Sequence, residues 1–544
     1  MLQRQTGLYH ADDGDHAGFS AMSTLAPASP GRLLLKPEAR WEALLRRVQG
    51  AVPEAFDADG HVLNLMCGEW GHRGHPKTFL SPVDGSPLGA YPMIDLEPAR
   101  DAVRFAAREA GAWARVGLDE RRERVRAVLD ELRVHRDLLA YLLVWDIGKP
   151  YRQSLVEVDR TLDGVGWYLE HIEPMLRGRA PLGLVSNIAS WNYPLSVLVH
   201  AVLVQALAGN AVIAKTPSDG GLFSLTLSFG VMRRHGLPVS LVSGSGGRLA
   251  DALVRSEPVD CLAFVGGKSS GRDIAASLFD RDRRYALEME GVNAYGVWDF
   301  SDWPGLAAQI RKGFEYGKQR CTAYVRWVVQ RELFPEFLDA YLGVARSLTF
   351  GHPLLVADPA DDPPDLDFGP LITPAKSEEL RVHYSDAVSR GAVMLYRGEF
   401  DESRFLPDQD TSAYFRPVAL LGVPRSSFLY HNEPFGPVDT FIVVDRLEEL
   451  VAEMNVSNGA LVASVACDDD RTAARIAGEL RAFKVGHNRL RSRGDREEPF
   501  GGVGESWRGC FVGGRYLVEA VTRGPEGERL HGNFPDYTLL PEDR

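Results

Sequence analysis

Cys321 stands in GKQRCTA, residues 317 to 323, between the cationic Lys318 and Arg320 and two small residues. A thiol attacks an electrophilic carbon as its thiolate, and a cysteine pKa of about 8.5 leaves only a minor ionised fraction near neutrality unless neighbours help. Lys318 and Arg320 raise that fraction if their side chains turn toward the sulfur. Cys67, Cys261, Cys467 and Cys510 have no such setting and read as small apolar side chains. A second chemical signal is CLAFVGGKSSG, residues 261 to 271. Here a β-rich run leads into Gly266, Gly267 and Gly271, and such a turn at the head of a helix lets backbone N–H groups approach a phosphate closely. Gly267-Lys268-Ser269-Ser270-Gly271 also satisfies the G-x-S-x-G pattern of a serine hydrolase, with His383, His431 and His487 as candidate partners. No glycine lies five residues ahead of Gly267, so the stretch is not a Walker loop.

A chain of 544 residues is too long for one ordinary core and implies two or three domains. Its 45% hydrophobic and 25% charged residues are those of a globular protein able to enclose a deep cleft. The net charge of −13, with no block of Lys and Arg, disfavours nucleic acid or an anionic membrane as partner. The cysteines are 5 in number, far apart and without C-x-x-C spacing, so neither a metal site nor a redox pair is expected, and a reducing compartment is. MLQRQTGLYHADDGDHAGF lacks the apolar core of a signal peptide and carries acids where a transit peptide carries arginine, which makes a cytoplasmic location the expectation. The longest apolar stretch, Leu195 to Ala214, is interrupted by His200, Gln205 and Asn210 and reads as a buried helix running into a strand.

The elements that must hold these residues are legible as periodicities. Residues 1–60 show no sustained pattern and read as an extension over the surface, in part disordered. Val125, Val128, Leu129 and Leu132 mark one face of an amphipathic helix between Asp119 and Val144. After Gly183, the short runs GLVSNI, AVIAK, VSLVS, CLAFV and RYALE alternate with helix-length pieces, as a parallel α/β sheet does. YVRWVVQ, AVMLY, DTFIVV and LVASVA form a second such series. Two doubly wound units facing one another leave a cleft between them.

Several stretches, taken together and in order, resemble the aldehyde dehydrogenase superfamily: SWNYPL (190 to 195), LAGNAVIAK (207 to 215), FVGGKSSG (264 to 271), LEMEG (287 to 291), GKQRCTA, NEPFGPV (432 to 438) and PFGG (499 to 502), preceded by GEW and DIGKP. The likeness spans roughly residues 60 to 525 and implies an α/β fold of two Rossmann-like domains joined by a small β oligomerisation element. Residues 61–160 and 182–287 then form the dinucleotide-binding domain and 288–502 the catalytic domain. Residues 161–181, as a hairpin, and 503–528, with a strand near Tyr516 to Thr522, form the bridging element, and 529–544 a tail. A homodimer or homotetramer is implied too.

By the same resemblance, Cys321 attacks an aldehyde, Asn192 and the Cys321 backbone N–H stabilise the oxyanion, and Glu288 activates the water that cleaves the thioester. The hydride acceptor is NAD or NADP, with Gly266, Gly267 and Gly271 at its phosphates, Lys215 and Ser218 at the adenosine ribose, Glu433 at the nicotinamide ribose, and Phe435 and Trp191 beside the ring. Serine at 218 tolerates a 2′-phosphate and Asp219 favours a hydroxyl, so both cofactors stay open. Trp191, Tyr193, Tyr316 and Tyr324 suggest an apolar or aromatic aldehyde. The chain departs from the family pattern at Gly267, Lys268, Glu290, Val292 and Tyr316. Three alternatives accompany this expectation: an acylating, coenzyme A-dependent relative; the serine hydrolase; and a non-catalytic dinucleotide-binding scaffold.

Overall fold

A computed structural model describes residues 33–278, 283–457, 459–492 and 496–534. Most of the expected extension, residues 1–32, and most of the tail lie outside these. Five parallel strands form the middle of the first sheet, in the order Arg284–Met289, Cys261–Gly266, Leu184–Ile188, Ala211–Lys215, Val239–Val242. The chain enters at Leu184–Ile188, winds outward to Val239–Val242, then crosses back to Cys261–Gly266. The strand order therefore reverses beside Leu184–Ile188, and a doubly wound sheet opens its ligand crevice at such a switch point, at the carboxyl ends of the strands. Short antiparallel strands finish both edges: Asn64–Met66 and Glu69–Gly71 on one side, Trp507–Cys510 and Gly532–Asn533 on the other.

The second sheet runs Val393–Arg397, Val418–Leu421, Val438–Val444, Tyr324–Gln330, Asn293–Val297, Val462–Ala466, Lys484–His487, and only its first pair is antiparallel. AVIAK, VSLV and VASVA are buried at every position. Strands covered on both faces need apolar residues throughout, which is why these runs are continuous in the sequence and do not alternate. Among the described residues no helix is long and apolar enough to cross a membrane.

Three expectations change. Residues 33–60 are not a surface extension: the helix Trp41–Ala51 buries Trp41, Leu44 and Val48, and the Trp41 ring lies edge-on to Phe223 at 4.7 Å. Residues 161–175 are not a hairpin but the second half of the helix Tyr151–Met175, which buries Val158, Leu162, Val165, Leu169 and Ile172. That helical stripe leaves room before Gly183 for one short strand, Ala180–Pro181, which pairs with Thr522–Arg523 of the same chain. Within 503–528, Trp507–Cys510 joins the first sheet and Gly514–Ala520 is a helix.

One buried carboxyl makes stability depend on pH. Asp146 is fully buried beneath the head of the helix Leu222–Arg234, where it accepts hydrogen bonds from the Ser224 N–H (3.0 Å) and Oγ (2.9 Å). Burial raises its pKa from 3.8 to about 7, with the Ser224 hydrogen bonds pulling the other way. A folded pKa above the unfolded one means that the folded state holds the proton more tightly. The resulting stability is complete below pH 3.8 and is lost as pH rises through about 7. Asp146→Asn should flatten that decline, by up to about 4 kcal/mol between the two limits. Melting temperatures across the window check it; equally steep curves for both proteins would refute it.

Candidate active site

Cys321 is positioned by a tight turn. The helix Trp303–Phe314 ends in Glu315–Lys318, where Tyr316, Gly317 and Lys318 take left-handed φ values of 58°, 59° and 58°. Two of these carry side chains, at a cost of about 1–2 kcal/mol each. Several anchors offset it. Tyr316 donates its N–H to Asp367 O (3.0 Å) and its hydroxyl to Ile147 O (3.1 Å). Gln319 donates to Pro370 O (3.1 Å) and accepts from the Ile372 N–H (3.0 Å). Lys318 Nζ donates to Asp439 Oδ1 (2.9 Å) and Tyr324 O (2.8 Å), fully buried with its partner. Arg320 donates to Lys312 O (3.1 Å) and Gly313 O (2.9 Å). Both cations that the sequence places beside the thiol are thus hydrogen-bonded into the turn.

Asn192 meets this turn from the first sheet. Its Nδ2 donates to Gln319 O at 2.9 Å, which ties SWNYPL to the residues just before Cys321 and leaves one amide hydrogen for another acceptor. The Asn192 carbonyl accepts from Lys149 Nζ (2.9 Å), and Lys149 forms a buried ion pair with Glu157. Glu157 in turn accepts from the Leu195 and Ser196 N–H groups (3.1 and 3.3 Å). The Lys149 ammonium also lies 3.8 Å from the centre of the Tyr193 ring. DIGKP is therefore the clamp on the Asn192 loop.

Asn293 holds the other side. Its Nδ2 donates to Cys321 O (2.7 Å) and Ala323 O (3.0 Å), and its Oδ1 accepts from the Val462 N–H (3.2 Å). Glu288, 2% exposed, sits near the end of Arg284–Met289, just before the chain passes at Asn293 into the second sheet. Glu288 thus lies a few residues ahead of Asn293, whose side chain holds the Cys321 loop.

Trp191, Lys215, Ser218, Gly266 and Gly267 lie at or just past the carboxyl ends of neighbouring parallel strands, an edge that parallel pairing brings into line. Lys215 ends Ala211–Lys215; burial lowers its pKa to about 8, and Nζ donates to Thr216 O (2.8 Å). Ser218 O accepts from Lys77 Nζ (2.9 Å) and the Tyr91 hydroxyl (3.1 Å), because the hairpin His75–Leu80 with Pro87–Met93 lies over this end. Gly266 ends Cys261–Gly266, and Gly267 stands open at the head of the helix Lys268–Leu278. Gly271 serves packing: a Cβ there would lie 2.2 Å from Met289 Sδ, so the helix rests directly on the neighbouring strand. Phe435 has φ 52° and meets Trp191 edge-on at 5.8 Å; Trp191 also meets Tyr316, at 6.3 Å. Glu433 is 3% exposed, and neither of its oxygens makes a hydrogen bond. Burial first, and then the charge of Glu290, push its pKa well above the usual carboxylate range; the Gly291 N–H pulls on it from outside hydrogen-bond geometry.

Of the four aromatic residues expected to line a substrate pocket, Trp191 and Tyr193 are half-buried and Tyr316 is buried against both. Tyr324 belongs to the core of the second sheet, bonded to Ser464 Oγ (2.7 Å) and edge-on to Tyr295 at 5.5 Å. Cys67, Cys261, Cys467 and Cys510 have pKa values raised by burial, as inert thiols do. The serine hydrolase does not form. Ser269 lies in the first turn of a helix without the strained φ of a nucleophile elbow, His383 stacks on Phe428, and His431 and His487 bond to Arg425 O and Cys467 O.

The sequence model of the aldehyde dehydrogenase family matches residues 72–524. The chain belongs to the aldehyde dehydrogenase family. It is 28% identical over 475 residues to the NADP/NAD-dependent aldehyde dehydrogenase PuuC of Escherichia coli, covering 82% of this chain and 91% of that one. It is 25% identical to the 3,6-anhydro-alpha-L-galactose dehydrogenase of a Vibrio species, covering 80% and 92%. Among solved structures, the NADP-dependent glyceraldehyde-3-phosphate dehydrogenase of Bacillus halodurans, complexed with NADP, superposes with a TM-score of 0.76 at 26% identity, over 85% of this chain and 98% of that one. In this aldehyde dehydrogenase three further residues contact the loops of the candidate site without having been assigned by sequence reasoning. Lys149 and Asn293 stood in quoted or adjacent motifs, but their roles depend on contacts with distant segments. Lys77 had no local signal.

Proposed function

We propose that this chain oxidises an aldehyde to its carboxylic acid with NAD+ or NADP+. The observation that supports it best is the hydrogen bond from Asn192 to Gln319, which sets an amide donor against the loop of the one cysteine that lies at the junction of the two sheets. Cys321, as thiolate, adds to the aldehyde carbon, and the carbonyl oxygen becomes an oxyanion. The remaining Asn192 amide hydrogen and the Cys321 backbone N–H receive that charge; one such donor is typically worth about 10²–10³ in rate. The dinucleotide supplies the hydride acceptor when bound. Glu288 then takes a proton from water, the hydroxide oxygen attacks the thioester carbon, and the carbon–sulfur bond breaks to release the acid and restore the thiolate.

The residues present suit a dinucleotide. Glu433 offers a buried carboxyl without a hydrogen-bond partner, and Gly267 brings no side chain to the head of a helix. Lys215 would hold the adenosine ribose. Lys77, 2.9 Å from Ser218 O and 3.5 Å from Asp219, adds a cation suited to a 2′-phosphate, while the exposed Asp219 opposes one. The family resemblance supports a homodimer or homotetramer, and the cysteine usage supports a reducing, cytoplasmic location.

The test is a panel of aldehydes with NAD+ and with NADP+, following absorbance of the reduced nicotinamide and identifying the product. Turnover to free acid is expected. Acyl-coenzyme A formed only with added coenzyme A would favour the acylating alternative, and no turnover with any aldehyde would favour the scaffold.

A further inference from the structure

The head of the helix Lys268–Leu278 is already engaged by an anion of the chain itself. Glu290 Oε1 accepts the Lys268 N–H at 3.0 Å. Its direction is set by the backbone: Glu290 O accepts from Ser506 Oγ (3.0 Å), and a Cβ on Gly291 would lie 2.5 Å from that same Oγ, so the turn after Met289 is pinned. Gly267 gives the carboxylate its space, since the nearest atom to a Cβ built there is Glu290 Oε1 at 4.0 Å. The departures at 267 and 290 are therefore one local arrangement, a missing side chain beside an added one. Behind it sits Glu433, buried, without a hydrogen-bond partner and within electrostatic reach of Glu290.

N–H groups and partial positive charge at a helix head bind a carboxylate and a phosphate by the same means, and one N–H cannot serve both at once. A carboxylate left beside an arriving phosphate would also repel it. We infer that Glu290 occupies the phosphate seat of the dinucleotide crevice, so that a cofactor binds by displacing its carboxylate, and that Glu290 thereby sets the cofactor affinity of this chain. The inference rests on the dinucleotide reading above and adds what limits binding.

The test titrates NADH and NADPH into the full chain, following nicotinamide fluorescence, for wild type, E290Q and E290G. E290G should bind about tenfold tighter than wild type, and E290Q, which keeps an oxygen but no charge, should fall between them. Without cofactor, E290G should melt at a lower temperature, because the helix loses its cap. Tighter binding together with lower stability is a pair of opposite changes that a purely structural residue would not produce. Measurable wild-type binding that is unchanged or weaker in both variants overturns the role of Glu290 alone. Folded proteins of all three kinds that bind neither cofactor overturn the dinucleotide reading, and this inference with it.

Discussion

Cys321→Ala should lower aldehyde oxidation by roughly 10⁴–10⁶ in kcat while dinucleotide affinity stays within about a factor of 2. The expectation is this local because of how the loop is held. Its anchors are backbone carbonyls and buried side chains: Gln319 O on Asn192, Cys321 O and Ala323 O on Asn293, and Lys318 on Asp439. Deleting one half-buried sulfur removes none of them, so the turn and the crevice beside it should persist. The measurements are steady-state turnover with the best aldehyde and fluorescence titration with NADH. Substantial surviving turnover would refute the nucleophile assignment; loss of cofactor binding along with activity would mean that the sulfur supports the fold.

Glu288→Gln should separate the two halves of the reaction. The amide keeps the shape of the carboxylate in its buried position between Val265 and Trp507 on the neighbouring strands, but it cannot take a proton from water. General-base catalysis is worth about 10²–10⁴, so hydrolysis of the acyl-enzyme should slow by that order while the first turnover stays fast. Rapid mixing should show a burst of reduced nicotinamide close to one equivalent per site, followed by a slow steady state. Equal loss in both phases would assign Glu288 to the first half of the reaction or to the fold. Release by added coenzyme A, rescuing the steady state, would point to an acylating enzyme.

Local pattern and spatial arrangement divided the work on this protein unevenly. All nine β-rich runs noted in the sequence are strands, from GLVSNI to LVASVA; those buried on both faces must be apolar along their length and so show themselves locally, while AVMLY is an exposed edge strand. Asn293–Val297, Val418–Leu421 and Lys484–His487 escaped notice, being short runs. The hairpin expected before Gly183 is a helix because its apolar spacing follows a turn of 3.6 residues, a period that the search for a bridging strand overrode. At the site, residue types at motif spacing pointed to Cys321, Asn192 and Glu288 before any coordinates. The pointing of side chains was another matter. Lys318 and Arg320 flank the cysteine in sequence, yet left-handed backbone at three successive positions sends one to Asp439 and the other to carbonyls of the preceding helix.

What the sequence by itself determined is the family and the class of fold, with candidates for the reacting groups, because burial on both faces and motif chemistry are properties of neighbouring residues. What only the tertiary structure decided is which groups are spent on holding others. Lys149 clamps the Asn192 loop through Glu157, Asn293 carries the cysteine loop, and Glu290 reaches from the end of the neighbouring strand to the Lys268 N–H. Each of these is a hydrogen bond or ion pair between segments set by folding, and its partner has no fixed distance along the chain.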